Sequence, residues 1–186
     1  MSSWFETCVH VTRHALVIIG ALVVAGIVGG LIFMYSGVFN VAASVVDSSI
    51  INWVLVSVRE ASIGLHAREV AAPAAGMVAD RDAGFALYRS NCVMCHTPIG
   101  RTADPMAVGF NPQAPGFGPG ADDMTDTQLF WVTKNGIRFT GMPAWGPSLS
   151  DAEIWDITAF VMSLPEMTAA DYDAMDARLP EVKAMP

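Results

Sequence analysis

Charged residues are absent from one long stretch near the start of the chain, Ala15–Tyr35. As an α-helix these 21 residues would span about 31 Å, close to the thickness of the hydrocarbon core of a bilayer. The apolar core of a cleaved signal peptide, which is the alternative, is shorter than this stretch. The pattern therefore predicts an uncleaved transmembrane anchor over residues 15–35, preceded by a short segment, residues 1–14.

Small residues recur at every fourth position inside this stretch, at Ala21, Ala25 and Gly29. Such spacing lets a second helix approach closely, so a partner transmembrane helix is one interpretation. Glycine is also common in membrane helices generally, and the sequence leaves both interpretations open.

A second hydrophobic segment, residues 38–65, follows a different pattern. Polar and charged residues such as Asp47, Arg59 and Glu60 interrupt it, so its apolar runs are too short to cross a bilayer. Its apolar residues recur at three-to-four spacing: Ile50, Ile51, Val54, Leu55 and Val58. This spacing predicts an amphipathic helix at the membrane interface or against a partner, with packing on its own domain as the alternative.

The remainder of the chain divides into three parts. Residues 66–82 are rich in alanine around a central proline and are predicted to be a linker. Residues 83–165 regain helical patterns and are expected to form a domain, followed by an acidic C-terminal extension over residues 166–186. The fold class predicted for the whole chain is all-α.

The last helical pattern of the domain has clear boundaries. Ile154, Ile157 and Val161 form an apolar stripe at helical spacing. A capping box of Ser150 and Glu153 is predicted at the start of this helix, and Pro165 should end it.

Composition and charge narrow the functional classes. The chain is 53% hydrophobic, which is high for a soluble domain and agrees with a membrane segment. Its net charge of −8 excludes the basic surface that nucleic-acid binding requires. Three cysteines, Cys8, Cys92 and Cys95, are too few for a disulfide framework.

The motif CVMCH, Cys92–His96, carries the most specific chemistry in the sequence. A zinc site would need two more ligands, but no histidine follows His96 and Cys8 precedes the anchor. A thioredoxin-like dithiol would need a βαβ pattern, whereas the residues before Cys92 are predicted to be helical. CxxCH is the signature of c-type haem attachment. Two thiols on neighbouring turns can form thioethers to the haem, and the adjacent histidine can ligate the iron.

A second axial ligand is expected from a methionine, because no histidine lies downstream of the motif and His66 alone lies between anchor and motif. Met142 is preferred, since Gly141 permits a close backbone approach and Pro143 stiffens the loop. The alternatives are Met106 and Met124 in the loop region, whereas Met162 falls within a predicted helix. Met142 could itself be a gap-filling core residue.

Three motifs in this order resemble a class I cytochrome c domain: GFALYRSNCVMCH, then TGMP, then LSDAEIWDITAFVMSLP. The similarity is greatest to the domains related to the cytochrome subunits of cbb3-type oxidases, and it covers about residues 82–165. The resemblance implies one covalently bound haem c. It implies thioethers at Cys92 and Cys95 and axial ligation by His96 and Met142.

Two further contacts are implied by the same resemblance. A glycine of the first domain helix, Gly84, should pack against an aromatic residue of the last helix, Phe160. A proline carbonyl should accept a hydrogen bond from the proximal histidine, and Pro98, Pro105 and Pro112 remain open for this role.

The resemblance implies a membrane-tethered electron carrier rather than an enzyme, in the inner membrane of a bacterium. With a single anchor, it also implies that residues 1–14 lie in the cytoplasm and the haem domain in the periplasm. Its expected partners are the membrane and redox proteins: a quinol-oxidising complex, a dehydrogenase, a terminal oxidase or a reaction centre of a respiratory or photosynthetic chain. One alternative is a fixed electron-exit subunit of such a complex. Another is a haem enzyme or gas sensor with an open distal site.

Charge along the domain leads to one further expectation. Between Arg89 and Trp145 four acidic residues balance four basic ones, while the extension at 166–186 is strongly acidic. We expect a largely apolar contact near the haem edge, with the acidic extension away from it or against a basic partner surface. The residues expected at this contact are Pro115, Phe117, Pro143 and Trp145.

Overall fold

The structure is a computed structural model that describes residues 2–71, 73, 79–118 and 124–179. Within these residues every regular element is a helix, which confirms the predicted all-α class. Parts of the expected linker (72 and 74–78) and of the expected C-terminal extension (180–186) lie outside the described residues. The chain separates into two compact units, Met1–Val45 and Val46–Pro186.

The first unit is dominated by helix α1, Ser2–Ser36. Its portion Val9–Ser36 is long and apolar enough to cross a membrane, and its side chains are exposed. The helix is longer than the stretch predicted as the anchor, because the polar residues before Ala15 continue the same helix. It ends where Gly37 adopts a positive φ of 66°, a conformation that favours glycine.

The second unit begins with the amphipathic segment. Helix α2, Ser49–His66, starts at Ser48, whose hydroxyl accepts a hydrogen bond from the Ile51 amide over 3.4 Å. A short 3₁₀ turn, Ala67–Glu69, follows directly. The described residues then continue through five further helices: α3, Arg81–Asn91; α4, Pro105–Val108; α5, Asp126–Asn135; α6, Asp151–Ser163; and α7, Ala169–Asp176.

Helices α3 and α6 cross at Gly84. A Cβ atom at this position would overlap the main-chain carbonyl of Asp156, so only glycine allows the two backbones to approach this closely. The predicted partner Phe160 lies one turn further along α6, where its ring packs 5.1 Å from the rings of both Phe85 and Tyr88. The predicted capping box of Ser150 and Glu153 is confirmed at the start of α6.

The main core lies between α3, α6 and α7. Helix α7 lies within the stretch expected as an acidic extension, yet it buries Tyr172 and Met175 in this core. The buried members of the cluster are Phe85, Tyr88, Leu129, Ile157, Phe160, Val161, Leu164, Tyr172 and Met175.

Two of the three acidic side chains of α7 pair with basic residues of the same domain. Asp176 forms a 2.6 Å ion pair with Arg89 of α3, and Asp173 forms one of the same length with Arg101. These two carboxylates thus lie against residues that flank the CxxCH motif. The expectation that the acidic segment lies away from the apolar contact or against a basic partner surface stays a prediction.

Candidate functional site

The CxxCH motif forms a tight turn that continues the end of α3. The Cys92 amide donates to the Tyr88 carbonyl over 2.8 Å, which makes Cys92 the C-cap residue. The amides of Cys95 and His96 both donate to the Cys92 carbonyl, over 3.0 and 2.8 Å. This turn holds the two free thiols and the imidazole within one segment of five residues, Cys92–His96.

His96 is buried, with 8% of its surface exposed, and its ring is held in a defined orientation. Its Nδ1 lies 2.9 Å from the main-chain carbonyl of Pro115. Because a carbonyl oxygen can only accept, Nδ1 carries the proton and Nε2 keeps the lone pair that a metal would use. Burial lowers the pKa of His96, partly opposed by this hydrogen bond, and so favours the neutral ring.

Pro115 is the proline whose main-chain carbonyl accepts the hydrogen bond from His96. Pro98, Pro105 and Pro112 were the prolines considered for the hydrogen bond to His96, and the structure uses a fourth, 19 positions after the histidine. No local sequence signal identifies it, because the loop between them has no hydrophobic period.

Aromatic side chains enclose the same histidine. The ring of Phe117 stacks on that of His96, with centroids 4.6 Å apart. The hydroxyl of Tyr88 donates to the main-chain carbonyl of His96 over 3.0 Å. Burial raises the pKa of Tyr88, which therefore stays a neutral donor.

The pKa values of the Cys92 and Cys95 thiols help to distinguish haem attachment from a redox dithiol. Burial, assisted by the neighbouring Cys95, raises the pKa of Cys92 to about 12. Burial and the nearby Asp104 carboxylate also raise the pKa of Cys95. A dithiol that works by thiolate attack needs a lowered pKa, so this environment argues against thioredoxin-like chemistry. Among the described residues, no three histidine, cysteine or acidic side chains gather into a metal site.

Met142 lies in a separate loop after α5, partly buried. The Thr140 hydroxyl donates to the Ile137 carbonyl over 2.7 Å and accepts from the Met142 amide over 3.1 Å. The Met142 carbonyl in turn accepts from the Ile137 amide over 3.2 Å. These bonds close the loop on itself, so the position of Met142 is set by its own backbone.

Two glycines, Gly136 and Gly141, allow the Met142 loop to pack closely against neighbouring atoms. Gly136 has a positive φ of 68°, and a Cβ there would lie 2.7 Å from the Ala144 amide nitrogen. Gly141, noted in the sequence for close approach, faces the ring of Phe110, which a Cβ would meet at 2.9 Å.

The other possible axial ligands occupy different places. Met106 on α4 and Met162 on α6 are exposed, and Met124 is partly buried just before α5. His66 ends α2, where its ring stacks on Trp131 of α5 at 5.4 Å and its Nδ1 donates to the Ser62 carbonyl over 2.8 Å. His66 therefore belongs to the contact between α2 and α5.

The residues expected at an apolar contact divide into two pairs. Pro115 and Pro143 are exposed, whereas Phe117 and Trp145 are partly buried. Sequence analysis missed Phe139, three residues before Met142, whose side chain is 82% exposed and whose φ is +63°. An exposed aromatic residue in this left-handed backbone region is unusual and is typical of functional loops.

Comparison with known proteins now decides the family of this domain. Residues 79–161 match the family model described as cytochrome C oxidase, cbb3-type, subunit III. These residues form a class I c-type cytochrome domain. A solved structure, cytochrome c6 from the diatom Phaeodactylum tricornutum, is 25% identical over 52% of this chain and 98% of its own, with a TM-score of 0.35. The comparison with curated proteins gives no match.

The cytochrome domain takes one covalently attached haem c. The residues present fit that group, because the motif supplies two adjacent thiols and a buried imidazole whose Nδ1 is already occupied. Cytochrome c domains are typically electron carriers or redox subunits.

Proposed function

We propose that this chain is a membrane-tethered cytochrome that passes single electrons between a membrane-bound donor and an acceptor. The observation that carries the proposal is the hydrogen bond from His96 Nδ1 to the Pro115 carbonyl. It leaves a buried, neutral imidazole with one free nitrogen beside two thiols, which is the donor set of a c-type cytochrome.

Each site residue has a distinct role in this proposal. Cys92 and Cys95 would hold the haem through thioethers, and His96 and Met142 would ligate its iron. Haem c supplies the one-electron couple. The protein contributes the methionine, a soft thioether that stabilises the ferrous form and raises the potential relative to a bis-histidine site.

The two axial ligands proposed for the haem iron also distinguish an electron carrier from a haem enzyme. If His96 and Met142 both ligated the iron, no position on it would remain open for a substrate. The second candidate, a haem enzyme or gas sensor, requires Met142 to leave the iron. The internally bonded loop around Met142 supports the carrier, because that backbone is fixed by Thr140 and Ile137.

Substitution of the axial ligand tests this function. Met142→Ala should retain covalent haem, lower the potential, abolish the ferric near-infrared band of a methionine–iron bond and allow carbon monoxide to bind. Met106→Ala, which removes an exposed methionine, is the matched control and should leave all four properties unchanged. A native spectrum and potential in Met142→Ala would assign the ligand elsewhere, with Met124 next. Cys95→Ala should instead reduce haem attachment and accumulation.

The tether and its topology form a second part of the proposal. Helix α1 is the single anchor, the N-terminus is cytoplasmic and the cytochrome domain is in the periplasm of a bacterial inner membrane. The length and apolar composition of Val9–Ser36 support an anchor. Protease added to intact spheroplasts should remove the cytochrome domain, and protection of the domain would contradict this topology.

The partners proposed are a quinol-oxidising complex or dehydrogenase as donor and a terminal oxidase or reaction centre as acceptor. The protein would act either as a mobile tethered shuttle or as the fixed electron-exit subunit of one complex. Extraction of membranes in mild detergent, followed by identification of the proteins that copurify with the haem, distinguishes the two. Stoichiometric copurification with one complex indicates a subunit, and isolated migration indicates a shuttle.

A further inference from the structure

Helix α2 has two apolar faces on opposite sides. The face that contains Ile63 packs towards α5, with Ile63 and the following Ala67 buried. The other face carries no charge, and its side chains are exposed. Its members and their exposed fractions are Ile50 (75%), Val54 (43%), Val58 (62%) and Leu65 (58%), together with exposed Ala61. We call these five residues the α2 stripe.

The α2 stripe is continuous along the helix. Its members are spaced by four, four, three and four residues, which at 100° per residue confines them to an arc of about 80°. Ile63 lies about 180° from the centre of that arc. The Arg59–Glu60 ion pair lies outside the stripe, so no charge interrupts it. Packing on its own domain therefore accounts for one face of α2 and leaves the stripe without an occupant among the described residues.

The short connection between α1 and α2 indicates what covers the α2 stripe. Helix α1 ends at Ser36 and α2 begins at Ser49, so about 40 Å of extended chain at most separates them. The connection contains no charged residue before Asp47, and Val38, Val41 and Val46 along it are exposed. An uncharged connection with exposed valines is unfavourable in water but suits the interfacial zone of a bilayer.

We propose that the α2 stripe lies on the lipid surface, with its side chains at the boundary between headgroups and acyl chains. This rests on the proposed tether through α1. Exposed Trp53 flanks the stripe, and tryptophan is favoured at that depth. Because the opposite face of α2 packs on the cytochrome domain, docking of the stripe holds that domain with one face towards the membrane.

Spin labels on the full-length holoprotein in phosphatidylcholine vesicles test the docking. In a Cys8→Ser background, one label replaces Val58 in the stripe, and a control label replaces Asn52, which is exposed on another face of the same helix. The Val58 label should collide more with oxygen than with a soluble nickel chelate, and the Asn52 label should do the reverse.

The other outcomes overturn the proposal in distinguishable ways. Flotation of the protein with the vesicles reports the α1 tether separately. If the protein floats with the vesicles but the Val58 label is exposed to water, the docking of the α2 stripe is refuted and the α1 tether is retained. If the protein does not float, both the tether and the docking are refuted. A Val58 label shielded from both reagents would show that a protein, such as a second copy of this chain, covers the stripe.

Orientation of the haem provides a second measurement. In stacked oriented membranes the wild-type haem should show a defined tilt by electron paramagnetic resonance. Val54→Asp with Val58→Asp should abolish that order without changing the optical spectrum, because both side chains are exposed in the folded domain. Asn52→Asp adds charge elsewhere on α2 and should retain the order. Retention of the tilt in the double variant would contradict the proposal.

Discussion

The Tyr88 hydroxyl donates a buried hydrogen bond of 3.0 Å to the main-chain carbonyl of His96. It ties the last turn of α3 to the end of the CxxCH turn. Tyr88→Phe should lower the free energy of unfolding by about 1–2 kcal/mol, because the buried carbonyl would lose this donor. Denaturant unfolding of the ferric holoprotein measures the change. Tyr172→Phe removes a hydroxyl from the same core without touching His96, and an equal loss in that variant would contradict a specific role for Tyr88.

The α3–α6 crossing predicts a large effect from a single methyl group. Gly84→Ala should destabilise the domain by about 1–3 kcal/mol, since its Cβ must displace the Asp156 backbone. Gly64→Ala is the matched control within a helix, because no atom lies within 4 Å of a Cβ there, and it should be neutral or stabilising. Thermal unfolding of both variants makes the comparison. Equal stability of the two would show that the helices can separate without cost.

Two of the ion pairs made by α7 should differ in strength. The side chains of Arg89 and Asp176 are 16% and 30% exposed, so a double-mutant cycle between them should give about 1–2 kcal/mol of coupling. The more exposed pair Arg101–Asp173 should give about 0.5 kcal/mol or less, because water screens it. Denaturant unfolding of the single and double variants supplies both values. The reverse order would show that burial does not govern these pairs.

The cap of α7 makes part of its stability dependent on pH. Hydrogen bonds from the Thr168 hydroxyl and amide, at 2.6 and 3.0 Å, lower the pKa of Asp171 from 3.8. Its folded pKa lies below the unfolded one, so this stabilisation is present above about pH 4 and is lost as pH falls through the folded value. The thermal midpoint of Thr168→Ala should therefore be below that of wild type at neutral pH, and the gap should narrow in acid. A gap independent of pH would contradict this linkage.

Electron transfer in intact membranes should depend weakly on salt. Three of the four basic residues between 89 and 145 form ion pairs with acidic residues after that stretch: Arg89 with Asp176, Arg101 with Asp173 and Lys134 with Asp151. A tethered protein also needs little long-range attraction to meet its partner. Rates should fall only mildly as the Debye length shortens. A drop of an order of magnitude would show that charge steering governs docking.

The sequence predicted those parts of the fold that depend on local spacing. The cap at Ser150 and the helical turn of Cys92–His96 follow from residues a few positions apart, and both are present. The role of Pro115 could not be predicted, because it depends on how a non-periodic loop returns to His96. The burial of α7 was missed because its two core residues, Tyr172 and Met175, stand among exposed acidic ones.

The position of α7 also bears on the order of events during biosynthesis. The core that packs around Cys92 joins Phe85 and Tyr88 to Tyr172 and Met175, so it cannot close until α7 has been synthesised. Until α7 is in place, Cys92 lacks part of its packing and is more accessible than in the folded domain. The order of the helices along the chain thus leaves the CxxCH motif open until a late stage of folding.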